Sequence, residues 1–87
     1  MKAQMFNKKF WTKGTDPKKL KDLYEKKLLD SGFGIVGFVE KYFEPFGYSA
    51  LWLLSESHFA VHTFPEEEKT YCELSSCVEK QFDEFNK

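Results

Sequence analysis

The residue types in this chain that could do chemistry are two histidines, His58 and His62, two cysteines, Cys72 and Cys77, and the serines Ser49, Ser55, Ser57, Ser75 and Ser76. H-x-x-x-H on a helix would set both imidazoles on one face for zinc. The stretch 58–64, however, alternates His, Phe, Ala, Val, His, Thr, Phe, which is the period of a strand. Four residues of strand separate the two rings by roughly 13 Å, too far to share a metal, so no metal centre is expected. A serine nucleophile with His62 as base is a second possibility. None of the serines lies in G-x-S-x-G, so an ordinary hydrolase is not indicated. Cys72 and Cys77 are five apart; on one strand they face opposite ways and cannot bridge. Two cysteines make no disulfide framework, and both are expected as free thiols, with Cys72 buried. Glu66, Glu67 and Glu68 are expected to form an exposed turn.

The elements that must position these groups follow from the hydrophobic pattern. Residues 4–12, with Met5, Phe6, Phe10 and Trp11, read as a strand that Gly14 ends. Asp16 followed by Pro17 is a helix start, an N-cap with proline at the first helical position. Leu20, Leu23, Tyr24 and Leu28 recur at helical spacing, and Ser31-Gly32 closes the helix. The period then changes to two. Strands are expected over 35–43, 48–55, 58–64 and 70–77, with a turn at Pro45-Phe46-Gly47 and a break at Pro65. The strand 48–55 is apolar on both faces and is expected to be central. Val78, Phe82 and Phe85 form an apolar stripe on a short last helix. The order β-α-β-β-β-β-α predicts an α+β two-layer sandwich, one antiparallel sheet with helices on one face.

Length and charge narrow the function classes. Eighty-seven residues make one domain, residues 1–87. Thirteen basic against fourteen acidic side chains give a net charge of −1, without the electrostatic footprint of a nucleic-acid binder. Lys2, Lys8, Lys9, Lys13, Lys18, Lys19, Lys21, Lys26 and Lys27 gather in the first third, which reads as a solvated face. No apolar run approaches the ~20 residues of a membrane span. The first ten residues lack a hydrophobic signal core, which makes a cytoplasmic location the expectation. Aromatics reach 18%, and so aromatic a sheet on so short a chain is expected to meet a second copy in a homodimer.

Glu56-Ser57-His58, then His62-Thr63-Phe64-Pro65-Glu66, then Cys77 resemble the signature of the bacterial and archaeal S-adenosylmethionine decarboxylase proenzymes, E-S-H…H-T-W-P-E…C. The spacings from Ser57 to His62 and to Cys77 match without a gap. Phe43-Glu44-Pro45 and Gly47-Tyr48-Ser49 look like the family's F-x-P and G-x-S.

The resemblance implies a pyruvoyl-dependent decarboxylase of polyamine (spermidine) synthesis that makes its own cofactor. Ser57 Oγ attacks the carbonyl of Glu56 and moves the acyl group from nitrogen to oxygen. The ester undergoes β-elimination, and the new N-terminal dehydroalanine tautomerises and loses ammonia on hydrolysis to leave a pyruvoyl group. The fragments are residues 1–56 and 57–87. The pyruvoyl carbonyl then takes the substrate's α-amine as a Schiff base and serves as electron sink. By resemblance Cys77 is the proton donor of the decarboxylation, His62 and Ser49 assist processing, and Glu56 supplies the cleaved carbonyl. His58 is a neighbour without an assigned role. Strain in the peptide that is cut is expected, because cleavage relieves it.

The chain departs from the family pattern in three places. It carries Phe64 for the usual Trp, Val78 for the usual Gly, and Glu67-Glu68-Lys69-Thr70 in place of a Y-G-Y-A turn. Chains of the family commonly carry a last strand after the C-terminal helix, whereas the sequence here stops at Lys87, inside or just after that helix. These departures leave ornithine or arginine open as substrate beside S-adenosylmethionine, and leave open a non-catalytic homologue acting as an interaction subunit.

Overall fold

A computed structural model describes residues 3–87; Lys2 of the basic series lies outside them. The strands are β1 (Phe6–Lys13), β2 (Ile35–Tyr42), β3 (Tyr48–Leu54), β4 (Ser57–Phe64) and β5 (Lys69–Ser76). The helices are α1 (Pro17–Asp30) and α2 (Glu79–Phe85), and a single 3-10 turn covers Pro65–Glu67. The strands form one sheet in the order β1-β5-β4-β3-β2, antiparallel throughout. This is the expected α+β sandwich. Among the described residues no helix is long and apolar enough to cross a membrane.

Helix α1 starts and stops as its sequence dictates. The Asp16 carboxylate accepts from the N–H groups of Lys18 and Lys19 at 3.0 and 3.2 Å, which satisfies two orphan donors of the first turn. At the other end Gly32 takes φ +96°, and its N–H and that of Phe33 bond the carbonyls of Leu29 and Leu28. The buried stripe is Leu20, Tyr24 and Leu28. Leu23, expected in that stripe, is 57% exposed. It sits about 100° round the helix from Tyr24, at the flank of the stripe.

Both helices cover the same face. Tyr48, Ala50, Trp52 and Leu54 of β3, Phe59 and Val61 of β4, and Cys72 and Leu74 of β5 lie buried under α1 and Phe85 of α2. Phe59 is the hub. Its ring centroid lies 5.0 Å from Tyr24, 5.4 Å from Phe85 and 5.7 Å from Trp52. Burying such a ring stabilises the fold by about 1.5–3 kcal/mol, so a few of them suffice for a thin core. Val78, expected on the stripe of α2, instead precedes that helix and is exposed.

The opposite face is bare. Alternation sends Leu51 and Leu53 of β3 there, and they are 40% and 54% exposed. The apolar character of both sides of β3 therefore does not mark burial on both sides. The middle strand is β4, with β3 beside it. On this open face cross-strand neighbours line up in rows. One row runs Trp11, Tyr71, His62, Ser49, Lys41 and the next runs Lys9, Glu73, Ala60, Leu51, Val39.

Candidate functional site

Residues proposed for chemistry gather at two places on the sheet. The first is the β3–β4 hairpin end. Leu54 pairs with Ser57, so Ser55 and Glu56 make the turn. Glu56 takes φ +58°, one of two non-glycine residues at positive φ among the described residues; Glu68, at +54°, is the other. A non-glycine residue held there costs of the order of 1–3 kcal/mol. The backbone strain thus resides at Glu56, whose carbonyl belongs to the Glu56–Ser57 peptide.

Ser57 is buried, and its Oγ accepts from the N–H of Cys77 at 3.3 Å. Cys77 lies just past β5 rather than in it. The hydroxyl of Ser76, itself fully buried, accepts from the Val78 N–H at 3.0 Å and folds the backbone around Cys77. The half-buried Cys77 thiol donates to Glu56 Oε2 at 3.3 Å. The neighbouring carboxylate and desolvation hold this thiol above its ordinary pKa. It therefore keeps its proton at neutral pH. Cys72 is a different case. It is wholly buried, and burial pushes its thiol up to about 11. It is a small core hydrophobe.

The second place is on the open face. Ser49 Oγ and His62 Nδ1, direct partners across β3 and β4, share a hydrogen bond of 2.7 Å. A groove of about 380 Å³ runs beside them, lined by Phe43, Phe46, Phe64 and Glu66 as well as by the pair itself. A smaller hollow of about 240 Å³ continues over Val39, Leu51 and Ala60. Sequence reasoning singled out neither Phe46 nor Glu66 as a site residue. Glu66 read as part of an exposed turn, and exposed it is, but the 3-10 turn puts it at the mouth of the aromatic groove. The period-two register of β4, continued through Pro65, was the signal that could have found it.

One chain does not bring the two places together. Ser57 and His62 are five residues apart on β4, roughly 16 Å of strand, and point to opposite faces. His58 faces the open side, opposite Leu53 and Ser75. Ser75 donates to the Asn7 side chain at 2.6 Å. Of the candidate serines, Ser49 is the one bonded to a histidine and Ser57 the one bonded to Cys77.

Known proteins match this arrangement in sequence and in fold. The crystal structure of the adenosylmethionine decarboxylase of Aquifex aeolicus superposes with a TM-score of 0.75 over 98% of this chain and 79% of that one, at 19% identity. That likeness is one of fold. An S-adenosylmethionine decarboxylase proenzyme of Syntrophomonas wolfei is 43% identical over 51 residues, 59% of this chain and 40% of its own length. The S-adenosylmethionine decarboxylase proenzyme 2 of Bacillus cereus is 38% identical over 47 residues, 54% of this chain and 38% of its own. The aligned stretches thus span about 40% of those relatives. The sequence profile of S-adenosylmethionine decarboxylase matches residues 12–85, a span that runs from the end of β1 through both candidate clusters to α2. With fold, profile and relatives in agreement, the chain belongs to the S-adenosylmethionine decarboxylase family.

Proposed function

We propose that this chain is a proenzyme that cuts itself between Glu56 and Ser57 and, once cut, decarboxylates S-adenosylmethionine. The observation that carries this reading is the hairpin end. A serine, a strained preceding residue and a protonated thiol meet there within hydrogen-bond reach. The Ser57 hydroxyl is the nucleophile, Glu56 leaves as a carboxylate, and residue 57 becomes an N-terminus. The pyruvoyl group derived from Ser57 supplies the electron sink on which carbon dioxide is lost. Cys77 holds a proton at Sγ for the α-carbon.

The aromatic groove favours S-adenosylmethionine over the other two substrates. Phe43, Phe46 and Phe64 offer ring faces for a flat base and for a sulfonium cation. Glu66 offers a carboxylate to ribose hydroxyls or to that same cation. Ornithine and arginine carry no ring to stack. Release of labelled carbon dioxide, measured on all three amino acids, should be fastest by far with S-adenosylmethionine. A preference for ornithine or arginine overturns the substrate assignment.

The separation of the two clusters and the bare sheet face support a homodimer. An exposed apolar surface of this kind, with Trp11, Val39, Leu51, Leu53 and Phe64 uncovered, invites a second copy. A two-fold axis between two open faces, near Ala60 of the middle strand, runs the two β4 strands antiparallel. It sets the Ser57 end of one copy against the end that carries His62 of the partner subunit. Co-expression of tagged Ser57→Ala and His62→Ala chains tests this. The His62→Ala chain should be cut in the mixed dimer and uncut when expressed alone. If mixing never restores cleavage, the site is not shared between copies.

A further inference from the structure

In the cleavage chemistry Glu56 contributes its main-chain carbonyl and the strain of its turn position, and neither needs a carboxylate. Its left-handed φ would suit glycine or asparagine better. Yet its side chain reaches across the hairpin end to accept the Cys77 thiol proton at 3.3 Å. We infer that the Glu56 side chain is a positioning residue that keeps the Cys77 sulfur protonated and directed at the hairpin end where residue 57 becomes the reacting terminus. This rests on the reading of Cys77 as proton donor.

The physical case is one of charge. A thiolate 3.3 Å from a carboxylate would place two anions side by side, so the carboxylate favours the S–H form. The groups acting on the thiol are few. The Glu56 carboxylate from the β3–β4 turn raises its pKa, with desolvation second, while the Ser57 hydroxyl from β4 and the main chain at Cys77 act in the opposite direction. Cleavage does not remove Glu56. It leaves Glu56 as the C-terminus of the first fragment, with its side chain free to keep the same bond and that bond now helping to seat the new end.

The test begins on uncut Ser57→Ala protein, so that neither cleavage nor turnover is needed. The rate of iodoacetamide alkylation at Cys77 is followed against pH by peptide mass spectrometry, with buried Cys72 as the slow internal control. Adding Glu56→Gln keeps the shape and removes the charge. Its alkylation profile should move to lower pH, with a several-fold faster rate near pH 7. Glu56→Ala should move it the same way. Profiles that coincide with that of the Glu56 protein overturn the inference. In self-cleaved enzyme, activity that needs a protonated donor falls as pH rises through the thiol's pKa. The alkaline limb of kcat should therefore shift to lower pH in Glu56→Gln, with KM little changed. A shifted alkylation profile with an unmoved alkaline limb leaves the Glu56–Cys77 pairing in place and overturns the role of Cys77 as donor.

Discussion

On a denaturing gel the purified 10.3 kDa chain should resolve into two fragments, residues 1–56 and 57–87, whereas Ser57→Ala should stay whole. The second fragment should be blocked to Edman sequencing, because a pyruvoyl terminus carries no amine. This is the largest effect expected of any single substitution, since removing Oγ removes the nucleophile altogether. The rate should depend on the turn as well as on the hydroxyl. Strain of about 1–3 kcal/mol at Glu56, if released on the way to the transition state, is worth roughly 5- to 150-fold in rate. Glu56→Gly, which tolerates φ +58°, should therefore cut more slowly while the hydroxyl stays in place. A wild-type chain that remains uncut after long incubation overturns the proenzyme reading and favours a homologue that keeps the fold as an interaction subunit.

Much of the fold was legible because local signals agreed with one another. Asp16-Pro17 and Ser31-Gly32 bracket α1 as written, and all five strands lie within two residues of their expected bounds. What failed was inference about which surfaces are covered. Leu23, Leu51, Leu53 and Val78 are apolar, sit in periodic patterns, and are exposed in the single chain. Periodicity reports which residues share a face, not whether anything lies on that face. The candidate site was legible as a set of residue types and spacings, and its division was not. Odd separation puts side chains on opposite faces of a strand, a rule applied to Cys72 and Cys77 but equally true of Ser57 and His62. Applied there, it would have shown that His62 cannot serve Ser57 within one copy. Only the cross-strand register put His62 with Ser49, and only the path of the chain beyond β5 put Cys77 with Ser57 and Glu56.

Cys77→Ala should separate the two reactions. Self-cleavage needs the Ser57 hydroxyl and help at the ester and elimination steps, and the thiol of Cys77 donates its proton to the Glu56 side chain. The Cys77→Ala chain should therefore still cut, perceptibly slower because the local hydrogen bonding changes. Its turnover should fall by about 10²- to 10⁴-fold, the range expected when a positioned acid is lost. His62→Ala should fail earlier, leaving whole chain or an ester that hydroxylamine opens. Cys72→Ala should do neither, because its sulfur is sealed in the core on the helix side of β5. The pH dependence has a definite sign. A donor whose pKa is held up stays competent through neutral pH and loses its proton only as pH rises through that value. Wild-type turnover should thus persist to mildly alkaline pH and then fall, and the residual activity of Cys77→Ala should lack that alkaline limb. Carbon dioxide release by the cut Cys77→Ala protein at the wild-type rate removes this residue from the chemistry and returns the question of the donor to water or to His62 of the partner subunit.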